Sequence, residues 1–325
     1  MLTQDAKNKT RLIFMGTPDF AVPGLMSLIA TPDFAIIGVF TQSDKPIGRK
    51  QLLTPTAIKT TALQNNLKIF QPVKIKTTTE IIRSLKPDLI VVIAYGQIIP
   101  PDILAIPTYG CLNVHASLLP KYRGAACLNV PILNGDEETG ITIMKMEAGL
   151  DTGPILKQIK IKLNGQETLE TVHDKLAALS ADLLIPTLRD FLAKKIKPKE
   201  QDESQASYVK TLKKEDGRIN WKKTALEIER SVRAYNPWPG TYTLMITGDD
   251  QESHHKIIKI LKTEHQPLAI NKYKIGEIFK ENNKLMIQCG QDSLVILNLQ
   301  IEGKKALSAE EFIRGYSSLI GQTLN

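Results

Sequence analysis

The amino-acid sequence predicts an α/β protein in two domains: a mostly parallel sheet with helices on both faces, then a smaller β-barrel or sandwich. Three observations lead there. From Arg11 to about Lys195, short apolar runs alternate with helical patterns at the spacing of βαβ units. Residues 196–214 lose that periodicity and gain charge, Ser and Gln, the composition of a connecting segment. Beyond them short runs of strand character follow one another without crossover helices, the pattern of a small antiparallel barrel or sandwich. The expected division is therefore 1–195, a connecting tract 196–214, and 215–325.

Taken in order, the strands of the first domain are LIFMG (12–16), AIIGVFT (35–41), DLIVVIAYG (88–96), CLNVHAS (111–117) and ITIMKM (141–146). Their continuous apolar character suits strands buried on both faces. Helices are predicted at PGLMSLIA (23–30), TAIKTTALQNN (56–66) and TEIIRSL (79–85), the first capped by Thr17 or Asp19 after a turn at Gly16. QIKIKL (158–163) alternates strictly, as an edge strand with one wet face does. A long helix then runs from residue 167 to Phe191, with Pro186 marking a kink. The second domain reads as TYTLMI (241–246), KIIKILK (256–262), KIGEIFK (274–280), KLMIQC (284–289) and SLVILNL (293–299). A closing helix begins at the S-x-x-E capping box of Ser308 and Glu311.

Composition bounds the function. With 42% hydrophobic and 23% charged residues over 325 positions, the chain is globular and long enough for a substantial core. A net charge of +8 fits a polyanionic partner, with basic concentrations at KPIGRK (45–50) and across 210–223. Three cysteines, Cys111, Cys127 and Cys289, include no C-x-x-C pair, so neither a disulfide framework nor a thiolate metal site is expected, and a reducing cytoplasm fits. They are expected to be buried small apolar residues and not nucleophiles. The N-terminal stretch has no signal-like apolar core and no run reaches membrane-span length. Neither export nor a membrane partner is expected.

In an open parallel sheet, ligands lie beyond the carboxyl ends of the strands. The tracts placed there are GTPDF (16–20), TQSDK (41–45), AYG (94–96), NVHASLLP (113–120) and MEAGLDTG (146–153). None contains the G-x-G-x-x-G or G-x-x-x-x-G-K-[ST] signatures, which weakens nicotinamide and ATP chemistry. Asn113 and His115 are two apart on one strand and so face the same side, an amide donor beside an imidazole, as an oxyanion site requires. Asp151, between the Gly149 and Gly153-Pro154 turns, is either an Asx-turn former or a carboxylate available as general base. His173, in a helical pattern, and His254 and His255, in a polar loop, receive no role. Trp221 and Trp238 read as core or domain-interface residues more readily than as stacking platforms.

The tract from Cys111 to Leu156, with Asn-x-His, SLLPxxRG and GLDTG, resembles the catalytic block of the folate-dependent formyltransferases. GTPDFAVPGL, GVFTQSDKPIGR, AYGQIIP, SYVKTLKKEDGRINW and VRAYNPWPGTY extend the resemblance over nearly the whole chain, toward the members of that family that act on initiator tRNA. The resemblance implies a Rossmann-like catalytic domain with an OB-like barrel behind it. It implies transfer of a formyl group from 10-formyltetrahydrofolate to the α-amino group of methionine on initiator tRNA, for translation initiation, by a cytoplasmic monomer that needs no metal. Asn113, His115 and Asp151 are then the catalytic trio, and Ser117, Leu118, Leu119 and Pro120 belong to the folate-binding segment.

A tRNA-contacting role follows for Lys45, Arg49 and Lys50, and the basic end of the connecting tract suits phosphate contact as well. Two departures from the family pattern stand out: Cys127 where Pro is usual, and Lys45 where Arg is common. Lysine makes a point-charge contact where arginine makes a forked one. Two other readings remain: a formyltransferase for an amino sugar nucleotide, and a noncatalytic tRNA-binding relative that keeps the fold.

Overall fold

The computed structural model describes residues 9–48, 50–247, 254–267 and 272–325. The chain divides into two compact units. The first comprises residues up to Cys127, Glu138–Lys162 and Val172–Val209; the second comprises Leu128–Glu137, Leu163–Thr171 and Lys210–Asn325.

The elements run β1 (Thr10–Gly16), α1 (Val22–Ile29), β2 (Phe34–Phe40), β3 (Lys45–Ile47), β4 (Leu52–Thr54), α2 (Ala57–Gln64), β5 (Ile69–Phe70), α3 (Thr79–Leu85), β6 (Leu89–Ile93), α4 (Pro101–Leu104), β7 (Cys111–His115), β8 (Arg123–Gly124), α5 (Val130–Asn134), β9 (Glu138–Lys145), β10 (Ile155–Lys162), α6 (Leu169–Leu192) and β11 (Tyr208–Val209). Seven strands form the main sheet of the first unit in the order β10-β9-β7-β6-β1-β2-β5. The five from β7 to β5 are parallel, whereas β9 runs antiparallel to β7 and β10 antiparallel to β9. The unbroken apolar runs sit where burial on both faces demands them: all five residues of β6 are buried, as are Leu12 to Gly16 of β1. On the edge strand β10 the lysines Lys157, Lys160 and Lys162 are exposed and the residues between them are partly buried.

Local expectations fail in two places. The turn after β1 is not capped by Thr17 or Asp19. Thr17 Oγ1 donates to the Tyr95 carbonyl, Asp19 accepts from its neighbour Phe20 and lies 3.4 Å from His173 Nε2, and α1 has no side-chain cap. Residues 45–47, in the basic tract KPIGRK for which no strand is expected, pair with 52–54 as the two-stranded hairpin β3–β4. Pro186 lies inside α6, which continues to Leu192 without a break.

The second unit continues with α7 (Ala225–Tyr235), β12 (Thr241–Thr247), β13 (His254–Gln266), β14 (Ile278–Glu281), β15 (Lys284–Gln288), β16 (Ser293–Ile301), β17 (Ala306–Ser308) and α8 (Ala309–Gly315). Its strands form an antiparallel sheet ordered β12-β13-β16-β15-β14, with β17 on β16. The C-terminal segment runs between the two outer strands. Gln322 accepts from the Ile278 amide on β14, and Asn325 exchanges both backbone bonds with Leu244 on β12 at 3.0 Å. These bonds cover both edges, which gives the sheet its barrel-like character.

Trp221, Ile228, Val232, Ile258, Ile260, Leu285, Ile296 and Phe312 fill the core of this unit. Helix α7 has no counterpart among the predicted elements, although Thr224 and Glu227 form the same reciprocal capping box that marks α8. His254 and His255 begin β13 and do not lie in a loop. Trp221 is buried and its indole N–H donates to Thr243, but Trp238 is 59% exposed and is no core residue.

Candidate active site

Asn113 and His115 lie on β7 with the two-residue spacing that turns both to one face. Asp151 arrives by an unexpected route. The apolar pattern of the sequence puts the tract 146–153 beyond the carboxyl end of a parallel strand. Because β9 is antiparallel, its last residue Lys145 instead pairs with Leu112 near the start of β7. Residues 146–154 therefore leave the sheet at the opposite edge and fold back alongside β7, where Asp151 takes the left-handed conformation (φ 53°) that Asp tolerates better than most residues.

The result is a compact trio. Asn113 Nδ2 lies 3.4 Å from Asp151 Oδ1, and His115 Nδ1 lies 3.7 Å from Asp151 Oδ2. Both partners of the second pair are largely buried, the imidazole 6% and the carboxylate 13% exposed. The Gly124 amide donates to Asp151 Oδ2 at 2.8 Å, fixing one carboxylate oxygen and leaving the other side open to Asn113. On the far side of the ring, His115 Nε2 is 3.0 Å from the Tyr122 carbonyl. A carbonyl can only accept, so the hydrogen-bond network places a proton on Nε2 and leaves Nδ1 as the atom facing the carboxylate. The amide of Asn113 keeps a second N–H outside these bonds.

Residues Ser117 to Pro120 follow β7 directly. Thr142 on β9 holds this segment: its hydroxyl donates to the Ser117 carbonyl at 2.6 Å and accepts from the Leu119 amide at 3.1 Å. Gln158 on β10 donates to the Leu119 carbonyl at 2.8 Å. The side chains of Ser117 and Leu119 are buried, and Ser117 closes its own turn onto the Lys121 carbonyl. Only Leu118 and Pro120 retain partly exposed side chains. The segment is thus a braced loop at the strand end whose accessible parts are those two side chains and its backbone.

Lys45 and Lys50 are exposed on the β3–β4 hairpin, which follows β2 and so stands at the same sheet edge as His115. Arg49 lies outside the described residues. The foot of the hairpin is tied down by Asp44, whose carboxyl is held below its ordinary range by hydrogen bonds from Gln71 and Lys59. Cys111 and Cys127 are buried, and desolvation pushes the Cys111 thiol up to about 12, which removes it as a nucleophile near neutral pH. No group of three or more His, Cys, Asp or Glu suited to a metal ion occurs among the described residues.

Sequence reasoning missed Arg123, Gln201 and Tyr95. Arg123 is fully buried, and it and Gln201 join the loop that carries Asp151 to the tract 199–209. The buried hydroxyl of Tyr95, just past β6, has no hydrogen-bond partner among the described residues, and burial pushes it up to about 12. The RG pair after SLLP was the only signal for Arg123, and nothing in the sequence pointed to Gln201.

An amide and an imidazole on one strand, converging on a carboxylate at the end of a Rossmann-like sheet, supply oxyanion donors and a proton acceptor, the groups that acyl-group transfer requires. The chain belongs to the formyl transferase family: residues 10–188 match its catalytic domain and 211–317 its C-terminal domain. Over nearly its whole length the chain is similar to methionyl-tRNA formyltransferases. It is 43% identical to that of Citrifermentans bemidjiense over 94% of this chain and 93% of that one, and 42% identical to that of Clostridium novyi over 97% and 99%. Among solved structures, the sugar 3N-formyl transferase WlaRD shares the fold at a TM-score of 0.62, with 21% identity over 92% of this chain and 99% of that one. HypX from Aquifex aeolicus shares it at 0.63, with 15% identity over 95% of this chain and 48% of that one.

Proposed function

We infer that this enzyme transfers the formyl group of 10-formyltetrahydrofolate to the α-amino group of methionyl initiator tRNA. One observation carries the chemistry: Asn113 and His115 both reach the Asp151 carboxylate, within 3.4 Å and 3.7 Å, inside a single unit. The full-length likeness to methionyl-tRNA formyltransferases, C-terminal domain included, carries the choice of acceptor.

In this reading the amine attacks the formyl carbon and negative charge builds on the formyl oxygen. The second N–H of Asn113 and a protonated Nδ1 of His115 supply donors to that oxygen. Asp151 accepts the proton released by the attacking nitrogen, and its carboxylate also steadies the charged ring. Collapse of the tetrahedral adduct breaks the bond to N10 of the folate, which takes up the proton that Asp151 accepted from the amine and so returns the carboxylate to its starting state. The braced segment Ser117, Leu118, Leu119 and Pro120 lines the folate position.

The first unit holds this chemistry. The second unit, with exposed Lys210, Lys213, Lys214, Arg218, Lys222 and Lys223, takes the tRNA backbone, assisted by Lys45, Arg49 and Lys50. A single chain suffices, since the trio comes wholly from residues 113–151. All three cysteines are buried thiols outside any disulfide, which supports a reducing cytoplasm as the site of action. The test is direct: incubate the protein with 10-formyltetrahydrofolate and either methionyl initiator tRNA or an amino sugar nucleotide. Formylation of the sugar alone overturns the acceptor assignment, and formylation of neither overturns the enzyme reading.

A further inference from the structure

The loop that carries Asp151 is held from outside the catalytic block. Gln201 donates its amide N–H groups to two carbonyls of this loop, Asp151 O at 2.8 Å and Gly153 O at 2.7 Å. The carbonyl oxygen of Gln201 in turn accepts from Arg123, from Nη2 at 2.9 Å and Nε at 3.1 Å. Arg123 has no solvent exposure, and the rest of its guanidinium is spent on a forked pair with Glu203, at 2.6 and 2.9 Å, and on the Tyr208 hydroxyl at 2.8 Å.

Each end of this relay meets Asp151. Gln201 grips the backbone of Asp151, while the residue after Arg123, Gly124, donates its amide to Asp151 Oδ2. Gly124 itself is fixed by pairing of β8 with β11. At φ 111° it occupies a conformation suited to glycine, and a Cβ there would collide with the Val209 carbonyl. Asp151 is thus a non-glycine residue in left-handed backbone, held on its carbonyl and its carboxylate by two strands of one hydrogen-bonded circuit.

We propose that Gln201, itself held by the buried guanidinium of Arg123, is a positioning residue that aims the Asp151 carboxylate at the reaction. The proposal rests on the reading of Asp151 as the proton acceptor. The side chain suits the task because only an amide offers donors to the loop and an acceptor to Arg123 at once. Misplacement of a reacting group by about 1 Å can cost on the order of 10²-fold in rate, so a loosened loop is felt in turnover. Because the tract 199–209 leads directly into Lys210 and the second unit, the clamp is also the last part of the first unit before the chain enters the tRNA-binding half.

The test compares Gln201→Ala, Gln201→Glu, Asp151→Asn and the double variant Gln201→Ala with Asp151→Asn in full-length protein. Turnover (kcat), both KM values and the thermal midpoint are measured for each. Gln201→Glu retains an acceptor for Arg123 but turns an anion toward two carbonyls, so it removes the loop contact with the least risk to folding. Expected are kcat losses of about tenfold in both Gln201 variants, KM values for 10-formyltetrahydrofolate and tRNA within about twofold, and no further loss when Gln201→Ala is added to Asp151→Asn. A full multiplicative loss in the double variant, or a wild-type kcat in both single Gln201 variants beside an impaired Asp151→Asn, overturns the positioning role and leaves Asp151 as the base. A near wild-type rate in Asp151→Asn overturns the base assignment and the positioning role with it.

Discussion

Two loops of the first unit make opposite use of their residues. The segment 146–154 is pinned at its start and over its second half: the Met146 amide donates to Cys111, Asp151 is bonded at its carbonyl and at both carboxylate oxygens, Gly153 is held by Gln201, and the Pro154 carbonyl accepts from Lys145. Among its described residues the hairpin β3–β4 is anchored at its foot, by the Asp44–Lys59 pair and the Thr41–Thr56 hydroxyl contact, while Leu52 and Leu53 stand 64% and 70% exposed at its outer strand. The difference suits the tasks proposed for them. A proton acceptor works only at one position, so its freedom is removed in advance by the fold. A contact with a long polyanion tolerates small displacements, because charge acts over several ångströms and counterion release has no strict geometry. Rigidity is concentrated where bonds change.

Substitutions at the pinned loop should therefore act on turnover and those at the hairpin on affinity. The largest effect is expected at Asp151→Asn, which keeps the shape but removes the base. The rate should fall by about 10² to 10⁴. Near wild-type turnover would reduce Asp151 to a turn former. Next come Asn113→Ala and His115→Ala, which should each lower kcat by roughly 10² to 10³, the usual cost of removing an oxyanion donor. Equilibrium binding of 10-formyltetrahydrofolate should be almost unchanged in both, and a parallel loss of binding would contradict the oxyanion role.

At the hairpin, the triple variant Lys45→Ala, Arg49→Ala, Lys50→Ala should raise KM for tRNA and spare KM for the folate. Its log-log salt dependence should flatten by roughly 0.7 to 0.9 for each phosphate that is no longer neutralised. An unaltered slope would make the hairpin a solvated surface feature and move the footprint to the exposed lysines of 210–223. Lys45→Arg, which supplies a forked donor, should be neutral or bind slightly tighter.

The smallest expected effect is on stability. Glu203 is held below the ordinary carboxylate range, first by its hydrogen bond from Arg123. A group whose folded pKa is depressed adds stability that is present above its unfolded pKa and is lost as pH falls through the folded one. Glu203→Gln should thus lower the thermal midpoint slightly at neutral pH, with the difference from wild type vanishing in acid below the usual carboxylate range. With 69% of the Glu203 side chain exposed, solvent screening keeps the effect small. A difference that grew toward acid pH would show that the pair is not what holds Arg123.

The strands β1, β2, β6, β7, β9 and β10 and the helices α1, α2, α3 and α6 were legible because each is announced within its own residues. LIVVI is apolar without a break, as a strand buried on both faces must be, and the two-residue repeat of a strand already puts Asn113 and His115 on one face. The capping box that announces α8 announces α7 as well, where the signature T-x-x-E at Thr224 is masked by the run of strands that follows it. The sequence carried no comparable sign of which way β9 runs. Its apolar pattern is the same in either direction, and direction is decided by pairing with β7 across a gap of some thirty residues. That pairing is why the Asp151 loop approaches from the edge opposite the one expected.

The role of tract 196–209 was hidden for a related reason. Its polar composition fits a connector, and what binds it to the catalytic loop is a buried arginine nearly eighty positions earlier. Local periodicity fixes what each segment is, since it depends on the chain's own sterics and on which side chains shun water. Which segments meet depends on long-range packing, and only the folded chain decides that Gln201 holds Asp151.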